Sequence, residues 1–169
     1  MSEFLASRFA NACPYRPGEQ PRDRVYVKLN ANETSVAPSP HVREALCDEA
    51  LFRGLGRYAD PYCMPLRRAV ARAYGVDAEE VFVGNGSDEV LGFVMQTFMG
   101  PGARVCFPDV TYGFYRDFAV TFGLDWEYVP VRDDFGIDVA ALCDTDRHVL
   151  LANPNSPTGL ALGRDEVEK

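Results

Sequence analysis

From residue 81 onward, short apolar segments alternate with amphipathic ones, and this alternation restricts the chain to few folds. Segments with apolar residues at helical spacing cover 87–98, 111–122 and 138–143. Around them lie four short segments with the composition of strands: 81–83, 104–107, 126–130 and 148–152. Strands that alternate with helices predict an α/β domain whose mostly parallel sheet is flanked by helices.

The first 80 residues lack this alternation. Several turn-forming residues surround one β-like run at 25–29, which we predict to be a short strand. Ser39 and Pro40 predict the start of a helix, since serine caps a helix and proline suits its first position. A further helix is predicted from Pro65 to Gly75. Residues 1–37, ahead of these two helices, are therefore interpreted as an N-terminal arm with one short strand.

Polar, glycine-bearing segments follow three of the predicted strands, at 84–89, 108–115 and 153–159. The carboxyl ends of parallel strands share one edge of a sheet, and α/β proteins bind ligands there. Each segment alone has a plain structural explanation: a capped turn, an aromatic side chain in the core, or a proline-rich turn. Together they predict a ligand site at this edge.

The segment at 84–89, Gly-Asn-Gly-Ser-Asp-Glu, follows a predicted strand and opens a helix. Its glycines let the backbone approach a ligand closely, and the N–H groups at a helix start favour phosphate. Taken alone, an ordinary turn capped by Ser87 explains the segment better than a phosphate site does. Glu89 stands where a dinucleotide-binding GxGxxG motif has its last glycine, which disfavours a dinucleotide-binding domain.

Composition narrows the classes of partner. The formal net charge is −8 and the pI is about 4.7. An acidic chain without a basic cluster predicts neither a nucleic-acid nor a membrane partner.

His41 and His148 lie far apart and no CxxC pair occurs, so we expect no metal site. Cys106 and Cys143 lie in apolar runs, which predicts buried, reduced thiols, and no signal-peptide pattern occurs, which predicts a cytoplasmic protein.

Six segments occur in the order and at the spacing of one enzyme family. They are Pro-Tyr-Arg-Pro-Gly at 14–18, Lys-Leu-Asn-Ala-Asn-Glu at 28–33, Arg-Tyr-Ala-Asp-Pro at 57–61, and the segments 84–89, 108–115 and 153–159. Across essentially the whole chain this pattern resembles fold-type-I aminotransferases of the histidinol-phosphate branch. The resemblance implies the N-terminal part of such an enzyme. Residues 1–60 would be an N-terminal arm and small-domain segment, and residues 61–169 the first, incomplete part of the large domain that binds pyridoxal 5'-phosphate.

The resemblance also implies how the cofactor is held. Ser87 and Asp88 should bind its phosphate through backbone N–H groups and the serine hydroxyl, with Glu89 beside them. Tyr112 should stack on the pyridine ring.

Further roles implied by the resemblance concern other segments. The family's asparagine that hydrogen-bonds the cofactor's phenolic oxygen directly precedes Pro-Thr-Gly. Here Ser156 stands at that place and Asn155 one step earlier, and either residue could serve. Tyr58 should reach the cofactor phosphate of a neighbouring subunit, which implies a homodimer. Asn32 and Glu33 should border the pocket for a small amino-acid or phosphate substrate.

The implied reaction is pyridoxal-phosphate-dependent transamination of histidinol phosphate with 2-oxoglutarate, in histidine biosynthesis. Thr34 stands where some relatives carry a tyrosine that touches the substrate phosphate. An aromatic aminotransferase or a threonine-phosphate decarboxylase of the same superfamily therefore stays open.

The family's Schiff-base lysine is expected downstream of residue 169, so no catalytic residue is assigned within the chain. Neither Lys28 nor Lys169 is a suitable substitute. Residues 163–169 look like the first turns of a helix, and we expect them to continue in a longer enzyme. The 169-residue chain alone should be inactive. The alternative from another class is a truncated, non-catalytic binding protein.

Overall fold

The computed structural model describes residues 6–9, 19 and 21–169, which belong to two compact units. One unit contains residues 6–9 and 84–169, and the other contains residue 19 and residues 21–83. The sequence segment at 14–18 lies outside the described residues. The division of the chain between residues 60 and 61 stays a prediction.

The unit of residues 19 and 21–83 contains three α-helices and a 3-10 turn. They are α1 (Pro40–Leu46), α2 (Glu49–Gly54), α3 (Met64–Tyr74) and the 3-10 turn Ala78–Glu80. Helix α1 begins with Pro40 at its first position, as predicted. Helix α3 ends as predicted at Gly75, whose φ of 71° is the left-handed conformation that glycine adopts most easily.

Two predicted strands do not form among the described residues. Residues 25–29 and 81–83 have no ladder partner there, and Val25 and Leu29 are almost fully exposed. A β-like run becomes a strand only when a neighbouring backbone satisfies its N–H and C=O groups. The prediction of strands at 25–29 and 81–83 was therefore wrong.

The unit that ends the chain is built on a parallel sheet. Its strands are β1 (Arg104–Pro108), β2 (Asp125–Val129) and β3 (His148–Val149), in the order β2-β1-β3. The helices are α4 (Ser87–Phe98), α5 (Phe114–Phe122), α6 (Val139–Cys143) and α7 (Arg164–Val167). The predicted α/β fold with a parallel sheet flanked by helices is confirmed.

Strand β1 lies at the centre of the core. Successive strand residues point to opposite faces of a sheet. Val105 and Phe107 accordingly join the cluster that contains Met95 and Ala119 from the helices α4 and α5. Cys106 joins a second cluster with Ile137 and Leu142.

In the described part of the chain, none of the helices has both the length and the apolar character that crossing a bilayer requires.

Candidate functional site

The loops that follow β1 and β2 are joined at the carboxyl edge of the sheet. The Asp109 N–H donates to the Val129 carbonyl at 3.0 Å, and the Asp109 carboxylate accepts from the Val131 N–H at 2.9 Å. The parallel pairing of all three strands brings the loop after β3 to the same edge. Residues 109–113 are called the Tyr112 loop below, and residues 153–160 the Asn155 loop.

Helix α4 begins with a turn that leaves backbone donors available. Gly86 precedes the helix with φ 86°, and a Cβ built on it would meet nothing within 4 Å. The N–H groups of Ser87, Asp88 and Glu89 donate to no described residue. Because this twelve-residue helix also directs the positive end of its dipole here, its start is suited to an anion.

Glu89 stabilises the turn in front of α4. Its Oε2 accepts from the Asn85 N–H at 2.6 Å. A Cβ at Gly84 would come within 2.9 Å of the Val90 Cγ2 atom and 3.1 Å of the Glu89 carboxylate. The close approach therefore requires glycine at position 84, and the Glu89 carboxylate is engaged by the protein itself.

Tyr112 is held by its hydroxyl and by neighbouring aromatic rings. The hydroxyl donates to the Asp88 Oδ1 atom at 2.6 Å, which joins the Tyr112 loop to the start of α4. Its ring stacks on Phe114 at 5.6 Å and meets Tyr115 edge-on at 5.7 Å. Burial raises the pKa of the Tyr115 hydroxyl, so this neighbour stays protonated and uncharged.

Asn155 is 1% exposed and connects two loops. Its side-chain oxygen accepts from the Thr111 hydroxyl at 2.8 Å. Its amide group donates to the Val110 carbonyl at 2.8 Å and to the Thr158 hydroxyl at 3.3 Å. Both amide hydrogens are thus used within the protein. Ser156, by contrast, is partly exposed, and its hydroxyl bonds to no described residue.

The structure brings Asp88 and Tyr112 together, and it places Asn155 against the residue that precedes Tyr112. Sequence reasoning missed Thr111, whose hydroxyl makes the second of these connections. The sequence feature that could have indicated Thr111 is its place in the segment 108–115, directly after a predicted strand. A hydroxyl there can bond across the edge, but its partner is 44 positions away and only the fold identifies it.

Three of the predicted site residues belong to the other compact unit. Tyr58 lies between α2 and α3 and is fully exposed. Asn32 and Glu33 are also exposed, and the Glu33 carboxylate pairs with the Lys28 ammonium at 2.5 Å. Their roles at a cofactor or substrate stay predictions.

Comparison with protein families gives one match across most of the chain. The model of the family "Aminotransferase class I and II" matches residues 24–169.

Individual relatives match the chain closely over part of their own length. A histidinol-phosphate aminotransferase from Clostridium acetobutylicum is 44% identical over 169 residues, which are 100% of this chain and 48% of the relative. One from Marinomonas is 43% identical over 99% of this chain and 48% of its own length. The chain thus spans about half the length of the curated relatives that it matches.

A solved structure supports the fold. Histidinol-phosphate aminotransferase from Sinorhizobium meliloti, solved in complex with pyridoxal-5'-phosphate, superposes with a TM-score of 0.73 at 29% identity. The match covers 81% of this chain and 38% of that one.

Proposed function

The chain belongs to the family of class I and II aminotransferases, and on this premise we propose that it supplies part of a pyridoxal 5'-phosphate site. The proposed reaction is the transfer of an amino group between histidinol phosphate and 2-oxoglutarate, carried out by the enzyme at its full length. The start of α4, beside the Tyr112 loop, is the observation that carries this proposal. Relatives named histidinol-phosphate aminotransferase, at 44% and 43% identity, support the substrate.

The start of α4 would hold the cofactor phosphate. The backbone N–H groups of Ser87 and Asp88 and the Ser87 hydroxyl are the proposed donors. The open space at Gly86 admits a ligand close to the backbone, so the residues fit a phosphate group. Two acidic side chains also lie in this turn, but Asp88 accepts from Tyr112 and Glu89 from Asn85. Both carboxylates therefore have partners within the protein.

The ring of Tyr112 would pack on the cofactor's pyridine ring. The ring of Tyr112 also packs against Phe114. The hydrogen bond to Asp88 holds the ring in one orientation. Pyridoxal phosphate, when bound, supplies the electron sink that transamination needs.

Ser156 is the proposed donor to the cofactor's phenolic oxygen. The two amide hydrogens of Asn155 already go to the Val110 carbonyl and the Thr158 hydroxyl. Contact between Asn155 and the cofactor would require one of these bonds to break. The Ser156 hydroxyl bonds to no described residue and can donate without that loss.

A homodimer and a substrate pocket complete the proposal. Tyr58 is fully exposed, as a side chain that reaches into a neighbouring subunit must be. Asn32 and Glu33 are proposed to border the substrate pocket. Both assignments rest on the family resemblance of their segments. The cytoplasmic location also stays a prediction.

The test uses the protein at its natural length, supplied with pyridoxal 5'-phosphate, histidinol phosphate and 2-oxoglutarate. We expect glutamate to form only when histidinol phosphate is present. Phenylalanine and O-phosphothreonine are tested in parallel, with carbon dioxide release measured for the latter. If either compound is preferred, histidinol phosphate is not the substrate. Cofactor binding without turnover of any of the three compounds would favour a non-catalytic binding protein.

A pair of serine variants tests the phosphate site itself. Ser87→Ala removes one hydroxyl donor to a charged group, so we expect the Kd for pyridoxal 5'-phosphate to rise about tenfold. Ser39→Ala is the control, because Ser39 lies at the start of another helix, α1, and its side chain makes no capping bond. Equal Kd values for the two variants would mean that the Ser87 hydroxyl does not bind the cofactor phosphate.

A further inference from the structure

We propose that Asn155 is a positioning residue, which holds the Tyr112 loop on the Asn155 loop and makes no contact with the cofactor. This inference rests on the proposed function, since it concerns how Tyr112 comes to face the pyridine ring. The sequence motif of residues 153–159 does not predict this role for Asn155.

The burial of Asn155 is the first observation. In the part of the chain that the structure describes, no other polar or charged residue is buried to the same degree. A buried amide destabilises a protein unless its hydrogen bonds are made. Asn155 makes them: its oxygen accepts from Thr111, and its amide donates to Val110 and Thr158.

The position of its partners is the second observation. Thr111 and Val110 lie 44 and 45 positions earlier in the chain, on the loop after β1. The backbone of Asn155 meanwhile shapes its own loop, since its N–H donates to the Leu160 carbonyl and its carbonyl accepts from the Gly159 N–H. One side chain therefore connects the loop after β1 with the loop after β3.

Tyr112 is consequently held at both ends. Its hydroxyl donates to Asp88 at 2.6 Å, and the two residues before it in the chain are bonded to Asn155. Loss of the Asn155 side chain would release the two residues before Tyr112 from the Asn155 loop, while the hydroxyl bond to Asp88 and the ring contacts with Phe114 and Tyr115 remain. The ring would then present a less firmly fixed face to a planar ligand.

The first experiment measures the Kd for pyridoxal 5'-phosphate in the protein at its natural length. Tyr112→Ala is made in the natural sequence and again in the Asn155→Ala background. We expect about a tenfold rise in Kd in the natural sequence, in the range of an aromatic stacking contact, and less than about a twofold rise in the Asn155→Ala background. Effects that multiply would mean that Asn155 does not position Tyr112, and the proposal would be overturned.

A matched pair at Thr111 covers the case in which Asn155→Ala does not fold. Thr111→Ser keeps the hydroxyl that donates to Asn155, and Thr111→Val removes it with little change in shape. We expect Thr111→Ser to preserve the effect of Tyr112→Ala on the Kd and Thr111→Val to diminish it. Equal behaviour of the two variants would contradict the proposal.

Hydrogen–deuterium exchange of the cofactor-free protein separates this inference from the proposed function. We expect exchange of residues 109–113 to be about tenfold faster in Thr111→Val than in Thr111→Ser, because the loop opens more often. If that difference appears while pyridoxal 5'-phosphate fails to bind, the proposed function falls and the positioning of the loop stands. If exchange is the same in both variants, the positioning role itself is refuted.

Discussion

Burial decides which of the cysteine thiols in this chain can react. Cys106 is fully buried, as predicted, whereas Cys47 and Cys143 are exposed. The prediction of burial was wrong for Cys143, because that residue ends the short helix α6 on its outer side while Leu142 turns inward. Burial raises the pKa of the Cys106 thiol, and the nearby Glu127 carboxylate raises it further.

Alkylation by iodoacetamide should separate these thiols. The thiolate is the reactive form, so Cys106 should react at least about a hundredfold more slowly than Cys47 and Cys143 in the native protein. Raising the pH towards 9.0, the ordinary pKa of a thiol, should accelerate Cys106 only slightly, because its own pKa lies above that value. Peptide mass spectrometry gives the rate for each cysteine, with urea-unfolded protein as the control. A native rate for Cys106 equal to that of Cys143 would contradict its burial.

At the scale of secondary-structure elements, short polar contacts determine where helices begin. The Asp60 carboxylate accepts from the N–H groups of Tyr62 and Met64, at 3.0 and 2.9 Å, just ahead of α3. These two hydrogen bonds favour the charged form and hold the pKa of Asp60 below its ordinary value of 3.8. Asp60 therefore stabilises the start of α3 above that value, and the stabilisation is lost as the pH falls through the folded-state pKa.

Asp60→Asn should change how stability depends on pH. An amide cannot titrate, so the variant should be less stable than the natural chain at pH 6, and the difference should shrink at pH 3 and below. Urea unfolding followed by circular dichroism at both pH values measures this. Asp133→Asn is the control, since the Asp133 carboxylate accepts from no described residue. If the two proteins differ in their free energy of unfolding by an amount that does not vary with pH, the charged Asp60 carboxylate is not the group that stabilises the start of α3.

Gly86→Ala should destabilise the turn before α4. With φ at 86°, an added Cβ strains the backbone although nothing lies within 4 Å of it. The expected cost is about 1 kcal/mol in the free energy of unfolding. Gly100→Ala is the control, because Gly100 has equal space and no positive φ. Urea unfolding should show the cost at Gly86 only, and equal effects would mean that the turn adapts.

At the scale of the whole sheet, one arginine joins the two outer strands. Arg147, which directly precedes β3, donates to the carbonyl and carboxylate of Asp125 on β2, at 2.9 and 3.2 Å. It also pairs with Glu127 at 2.9 Å, and its side chain is only 10% exposed. Since β1 lies between these strands, the side chain spans the central strand and connects its two neighbours.

Arg147→Met should destabilise the sheet by about 1–2 kcal/mol, as expected for loss of charge-assisted hydrogen bonds that are partly shielded from water. Methionine keeps most of the apolar stem, so the loss reports on the polar contacts. Arg53→Met is the control: it removes an exposed i,i+4 pair with Glu49, which is worth no more than about 0.5 kcal/mol. Chemical denaturation compares the two, and equal losses would mean that Arg147 acts as an ordinary surface residue.

Local patterns predicted much of the α/β unit. Strands β1 and β2 fall within a residue or so of their predicted positions, and Gly123 ends α5 as predicted, with φ 67°. Tertiary contacts changed the other boundaries. Helix α5 begins at Phe114 and not at Thr111, because Val110 and Thr111 bond to Asn155.

The sequence by itself determined the class of fold, the loops at the carboxyl edge of the sheet and the family, because periodicity, capping residues and motif order are local features that need no long-range contact. Only the tertiary structure decided which runs became strands, since backbone groups at residues 25–29 find no pair among the described residues. It also decided the polar contacts of the site. Tyr112 meets Asp88, and Thr111 meets Asn155, across 24 and 44 positions of chain. Such contacts depend on distances in space, which no local pattern encodes.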